Sequence, residues 1–278
     1  MSRVSRALFV LLVLLGGLAL TGCQTLRAAA PAAAGSRPID RVLASGELRV
    51  GLSGNQPPLN MKNRKGEIIG FEADLARTLA ESMGLEVRFV VLPFADLLSA
   101  LEGGDVDLVA SGMTITPDRN ARVAFAGPYL VSGKSLLTRS EALSNAESLE
   151  VLDDPTRTYA ALEASTSENF VRGMLPKAKL VTTGDYDSAV QMVIDDEVDA
   201  LIADFPICAL SILRFPDAGL SRHHTPFTIE PLGIALPPDS PLMTNLVQNY
   251  LRTLDDTGIL TNLKAKWFSP GDWIAELP

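Results

Sequence analysis

Cysteine and histidine are scarce in this chain of 278 residues, with two of each. So few soft ligands exclude a zinc framework and a disulfide scaffold. Basic residues are also in deficit: Lys and Arg number 24 against 33 Asp and Glu, for a formal net charge of −9. Phosphate contacts need clustered Lys and Arg, so no nucleic-acid partner is expected. A Gly-rich phosphate loop is missing. The adjacent pair His223-His224 points its side chains apart in most backbones, so no metal or cofactor is expected. Asp195, Asp196 and Glu197 read as a solvated turn rather than an acid/base pair. No apolar run reaches the roughly 20 residues of a membrane-spanning helix. What remains is 47% hydrophobic and 21% charged, an ordinary globular balance that excludes wholesale disorder. The length allows one large domain or two smaller ones.

The N-terminus reads as an address. Arg3 and Arg6 precede the apolar stretch Ala7 to Leu20, followed by small residues, the pattern of a secretory signal. Leu20-Thr21-Gly22-Cys23 resembles a bacterial lipobox. It implies that residues 1–22 are a lipoprotein signal peptide and that Cys23 carries the lipid (palmitate among its chains). Cleavage would remove Arg3 and Arg6 and no acid, making the chain still more acidic. Cys208 would then stand alone, without a disulfide partner. Its neighbours Ile207, Ala209 and Leu210 predict a buried, inert thiol. Residues 23–39 are rich in Ala, with Pro and Gly, and read as a flexible tether between anchor and body.

The body alternates strand and helix. Strands are predicted at Leu48–Leu52, Glu86–Leu92 and Val106–Ala110. Helices are predicted at Glu72–Met83, where apolar residues recur at helical spacing, and at Phe94–Leu101. The second half repeats this plan: strands at Tyr159–Leu162, Leu180–Thr182 and Ala200–Ala203, a helix from Asp187 to Ile194, and a helix opened by Ser165 and Glu168 at capping-box spacing. An internal echo supports two similar lobes. Leu101–Gly112 (LEGGDVDLVASG) matches Val193–Asp204 (VIDDEVDALIAD), pairing Asp107 with Asp199 and Gly112 with Asp204. Ligands bind outside the carboxyl ends of strands in open parallel sheets, so Gly112 and Asp204 would face a shared cleft.

Several phrases then occur in a telling order: Pro57-Pro58; Gly66-Glu67-Ile68-Ile69-Gly70-Phe71-Glu72-Ala73-Asp74-Leu75-Ala76; Ser111-Gly112-Met113-Thr114-Ile115-Thr116-Pro117-Asp118-Arg119; Phe125-Ala126-Gly127-Pro128-Tyr129; Val198-Asp199-Ala200 with Asp204; Gly233-Ile234-Ala235; and Lys266-Trp267-Phe268. Over residues 40–270 the chain resembles the extracellular solute-binding proteins of polar amino-acid ABC importers (family 3). The resemblance implies an α/β fold of the periplasmic-binding-protein type II. Two Rossmann-like lobes with mainly parallel sheets would be joined by two hinge crossovers, after Pro128-Tyr129 and near Leu232-Gly233-Ile234. Residues 40–131 and 234–278 would form lobe 1, and residues 132–233 lobe 2.

An amino-acid ligand carries a carboxylate and an ammonium, each costly to desolvate without a partner. Arg119 suits the carboxylate, because its planar fork makes two charge-assisted bonds. Thr114 adds a hydroxyl, and Gly112 lets backbone groups approach closely. Thr166, in the first turn of a lobe-2 helix, resembles the family's second carboxylate clamp. Asp204 would be the ammonium partner, and Phe94 stands where the family often packs an aromatic on the ligand's aliphatic part, a core phenylalanine being the alternative. In the first loop, Ser53 and Gln56 stand where many members carry an acid and a stacking aromatic, which points to a neutral or hydrogen-bonding ligand side chain.

The expected function is that of a non-enzymatic, monomeric binding lipoprotein. It would be held on the periplasmic side of the envelope and would present a polar amino acid or close analogue to a membrane permease. Periplasmic cyclohexadienyl dehydratases share the fold and use a cleft carboxylate as general acid; Glu168 is near enough to keep that alternative open. A free-standing ligand sensor is the other. Gln24 after Cys23 does not resemble the inner-membrane retention signal, which favours Asp there.

Overall fold

Two periods of apolar residues organise the body in the computed structural model, which describes residues 37–278. The expected signal segment, the lipidated Cys23 and the tether up to residue 36 lie outside the described residues. Helix α1 (Pro38–Ser45) opens on a proline, whose missing N–H costs nothing in a first turn, and closes at Gly46. Pro38 and Ile39, expected at the end of the tether, therefore belong to a helix, and Ile39 is buried in the core.

Strand β1 (Glu47–Leu52) follows, then the short strands β2 (Asn55–Gln56), β3 (Asn60–Lys62) and β4 (Ile68–Ile69). Next come α2 (Phe71–Ser82), β5 (Glu86–Val91), a 3-10 turn at Phe94–Asp96, α3 (Leu97–Gly103), β6 (Leu108–Val109) and α4 (Pro117–Asn120). Strands β7 (Ala124–Ser132) and β8 (Lys134–Thr138) lead to short helices α5 (Glu141–Ser144) and α6 (Leu149–Leu152). Then β9 (Thr158–Leu162), α7 (Thr166–Met174), β10 (Lys179–Thr183), α8 (Tyr186–Ile194) and β11 (Ala200–Asp204) alternate. Helix α9 (Phe205–Arg214), β12 (Ser221–Arg222), β13 (Glu230–Leu236), α10 (Pro241–Asp256) and α11 (Ile259–Phe268) complete the order.

The strands form two main sheets, in the orders β5-β1-β6-β13-β7 and β10-β9-β11-β8-β12, and a small sheet β2-β3-β4. Each main sheet is mixed. In the first, β5, β1 and β6 are parallel, and β13 pairs antiparallel with β6 on one side and with β7 on the other. In the second, β10, β9 and β11 are parallel, and β8 pairs antiparallel with β11 on one side and with β12 on the other. The parallel strands are those joined through helices, as crossover connections require. The antiparallel strands flank the places where the chain changes sheets. It leaves the first sheet at Ser132, paired with Glu230, and enters the second at Lys134. A Cβ on Gly133 between them would lie 2.2 Å from the Thr228 carbonyl oxygen, so the chain passes here only without a side chain.

The internal echo is physical. Asp107 accepts the backbone N–H of Arg49 at 2.9 Å and pairs with the Arg49 guanidinium at 2.7 Å. Asp199 accepts the backbone N–H of Thr158 at 2.8 Å and pairs with Arg157 at 2.9 Å. In each lobe an aspartate before a strand thus pins the start of the neighbouring parallel strand; β11 ends at Asp204, while β6 ends at Val109 and Gly112 follows in its loop.

Leu48, Val50, Phe71, Leu75 and Leu79 of the first lobe pack with Met243, Val247, Leu251 and Trp267 of the C-terminal helices. A second cluster crosses between lobes, joining Phe94, Leu97 and Met113 to Leu137, Ala160 and Tyr186. Among the described residues no helix is long and apolar enough to cross a membrane.

Candidate ligand cleft between the lobes

Strand ends from both sheets meet at this cross-lobe cluster. Loop Ser111–Thr116 leaves β6, and one turn of helix, α4, begins at Pro117 with Thr116 as its cap. The cap aims Arg119 back beneath its own loop. Its Nη1 donates to the Thr114 carbonyl oxygen at 3.1 Å, and its Nη2 donates across the lobes to the Ala164 carbonyl oxygen at 3.1 Å. The guanidinium carbon sits 5.6 Å from the centre of the Phe94 ring. Arg119 is only 7% exposed, yet among the described residues no carboxylate lies within ion-pair distance of it. Burial pulls its pKa down, against the opposing pull of Asp118, Glu230 and Asp204. An arginine stays charged regardless, so this is a buried cation held by carbonyl dipoles.

Opposite, Ser165 caps α7 by accepting N–H bonds from Ser167 and Glu168, which leaves Thr166 free of that task. The Thr166 hydroxyl meets the Thr114 hydroxyl at 3.3 Å, joining the lobes beside Arg119. Glu168 accepts the Ala164 N–H at 2.7 Å and the Arg172 Nε–H at 2.9 Å.

Asp204 ends β11 in the N-cap position of α9 but makes no capping bond. Its Oδ1 instead receives the Lys134 ammonium at 3.0 Å, while Glu230 approaches the same ammonium at 4.0 Å. The predicted ammonium partner thus already holds an ammonium from its own chain, and its Oδ2 makes no hydrogen bond to the described residues. Tyr186 is buried beside this group; burial, then Asp204, holds its hydroxyl well above the ordinary range.

Ser53, Gln56 and Gly112 gather elsewhere in the cleft wall. Ser111 Oγ links Ser53 and Gln56, accepting the Ser53 N–H at 3.0 Å. Gly112 has φ 58°, and a Cβ there would stand 2.8 Å from Gln56 Oε1. Its N–H is engaged by Glu72 Oε1 at 2.7 Å. Glu72 is fully buried, also accepting from Asn60 and Tyr129, and burial raises its pKa despite these bonds.

The structure therefore brings Phe94, Thr114, Arg119 and Thr166 together. It sets Asp204 in a neighbouring ionic group and Ser53, Gln56 and Gly112 in a third. Lys134, Glu230, Glu72 and Tyr186 did not emerge from the sequence. The one available signal was a lone lysine between Gly133 and the apolar strand Ser135–Leu137. Cys208 is buried, with its thiol pushed up to about 12, consistent with an inert group. His223 lies 3.0 Å from the Ala146 carbonyl oxygen, and no metal-holding group of His, Cys, Asp or Glu occurs among the described residues. A recess of about 470 Å³, lined by Arg139, Asp196 and Asp199 among others, sits at the far end of the second sheet from Asp204, and the Arg139–Asp196 pair at its edge is already closed.

Residues 48–270 match the bacterial extracellular solute-binding proteins, family 3. The chain belongs to this family. A cyclohexadienyl dehydratase of Pseudomonas aeruginosa is 28% identical over 245 residues, 88% of this chain and 91% of that protein. The structure of an ancestral amino acid-binding protein, described as a precursor of cyclohexadienyl dehydratase, is 34% identical with a TM-score of 0.78, covering 83% of this chain and 99% of that one. A binding component of an ABC transporter from Wolinella succinogenes, complexed with lysine, is 33% identical with a TM-score of 0.79 over the same shares. The fold of this family-3 protein is accordingly the type II periplasmic-binding fold, two α/β lobes around a cleft.

Proposed function

We propose that this protein is the substrate-binding subunit of an ABC importer and that it holds a polar amino acid or close analogue in the cleft. It acts as a monomer without turnover of its own and passes the ligand to a membrane permease. Cys23 anchors it by lipid on the periplasmic side of the envelope. The observation that carries this reading is Arg119: a buried guanidinium, bridging both lobes, with no carboxylate among the described residues within ion-pair distance. A ligand carboxylate fits that vacancy in charge. The Thr114 and Thr166 hydroxyls add donors from opposite lobes, and Asp204 Oδ2 accepts from the ligand ammonium.

The purified protein should show a ligand-specific rise in melting temperature with one or a few amino acids, since a ligand of the native state alone stabilises it. No shift across the common amino acids would remove this reading. The anchor has its own test: Cys23→Ser should move the protein from the membrane to the soluble fraction, and unchanged membrane retention would refute lipidation there.

The dehydratase relative supports a second reading, in which the Glu168 carboxyl, two residues beyond Thr166, protonates a leaving group. The Ala164 N–H occupies Glu168 Oε2 and the Arg172 guanidinium occupies Oε1, so both oxygens already have partners within their own lobe, which counts against this reading. Turnover of prephenate or arogenate, lost in Glu168→Gln, would establish that reading.

A further inference from the structure

Lys134 is 1% exposed and begins β8 directly after the crossover at Gly133. A buried ammonium survives only with close carboxylates, and this one has two, Asp204 Oδ1 at 3.0 Å and Glu230 Oε2 at 4.0 Å. The group is fixed from every side. Lys134 donates its backbone N–H to Thr228 Oγ1 at 2.9 Å and accepts the Phe227 N–H at 2.7 Å. Thr228 donates to Glu230 Oε1 at 2.9 Å. The lysine therefore has no alternative place to put its charge.

The charges buried around the cleft then balance. Arg119 and Lys134 are the cations; Asp204 and Glu230 are the carboxylates. Glu72, without a cationic partner, is pushed toward its neutral form by burial. A zwitterion with a neutral side chain preserves the balance, with its carboxylate at Arg119 and its ammonium at Asp204 Oδ2. A second carboxylate on the ligand meets a cleft with two cations. A cationic side chain brings a positive charge that no remaining carboxylate is free to meet. In the first loop Ser53 offers no compensating charge, being bonded to Ser111 and Asn60.

We propose that Lys134 is a specificity-determining residue: it fills the cation position at Asp204 and Glu230, and so restricts the cleft to ligands whose net charge is zero or negative. The proposal rests on the reading of the cleft as a carboxylate-binding site and names the ligand class it admits.

The test is calorimetric titration of the purified protein with glutamine, serine, glutamate, 2-oxoglutarate, lysine and arginine. The wild type should bind a neutral or acidic member of this set at least about 100-fold more tightly than lysine or arginine, the scale of an unpaired buried charge. Lys134→Met should narrow that ratio by about tenfold or more and weaken any acidic ligand. The double variant Lys134→Met with Glu230→Gln removes one charge of each sign and should restore the rejection of cations. Lysine or arginine binding to the wild type as tightly as the best neutral ligand would overturn the proposal while leaving the carboxylate site standing. A ratio unchanged in a folded Lys134→Met would also overturn it. Failure of every carboxylate to bind either form would overturn both. If Lys134→Met does not fold, the wild-type ratio alone decides.

Discussion

Arg119 concentrates the chemistry at the scale of single residues. It was legible because an arginine after a strand end, in a loop of threonine hydroxyls, suits a carboxylate. Thr114 was read as a hydroxyl of that loop and Thr166 from its resemblance to the family's second carboxylate clamp; their hydroxyls meet at 3.3 Å across the lobes. Thr114→Val should weaken ligand binding by about ten- to hundredfold, one hydrogen bond to a charged group, with little change in melting temperature. Lys134 was not legible, because its meaning lies in a partner 70 positions away and in a main-chain lock at Thr228. Glu72 was quoted only as part of a phrase; its burial appears only when the lobe closes around it. Because its folded pKa is raised above the ordinary 4.5, its contribution to stability is full below that value and is lost as pH rises through the folded pKa. Glu72→Gln should therefore flatten the decline in denaturation midpoint as pH rises above about 4.5. An identical pH profile for both proteins would show that Glu72 does not titrate with folding.

Elements followed the apolar periods wherever a helix connects parallel strands. The predicted helix Glu72–Met83 is observed as Phe71–Ser82, and the predicted cap Ser165 accepts two backbone N–H groups. Ser165→Ala should cost about 1 kcal/mol of stability, read as a lower denaturation midpoint. The predicted helix Phe94–Leu101 instead splits into a 3-10 turn and α3, which runs on to Gly103 because Gly104, at φ 77°, supplies the left-handed stop. The antiparallel half of each sheet escaped the sequence altogether. Strands β7 and β13 carry the crossovers, and their pairing is set by contacts roughly 100 positions apart, which no local pattern records. Their crossing depends on Gly133. Gly133→Ala, with its Cβ 2.2 Å from a carbonyl oxygen, should destabilise the protein by about 1–3 kcal/mol. A wild-type denaturation midpoint in that variant would show that the crossover has slack.

For the whole molecule, the two-lobe plan was legible from the echo between Asp107 and Asp199, while the closeness of the lobes was not. They share a continuous apolar cluster from Phe94 and Met113 to Leu137 and Tyr186. Helix α9 reaches across as well: Leu210 packs in the same cluster as Trp267 and Trp273 of the C-terminal segment. Opening the cleft would expose these surfaces, and ligand that bridges Arg119 to Thr166 holds them together. Ligand should therefore contract the scattering profile and alter the emission of the chain's two tryptophans. Ligand binding and lobe closure both depend on the unneutralised guanidinium between the lobes. The most direct measurement is the dissociation constant of the stabilising ligand for wild type and for Arg119→Ala, with folding of both checked by circular dichroism. A loss of about 100-fold or more in a folded variant is the predicted result. Unchanged affinity would place the ligand elsewhere and contradict the account.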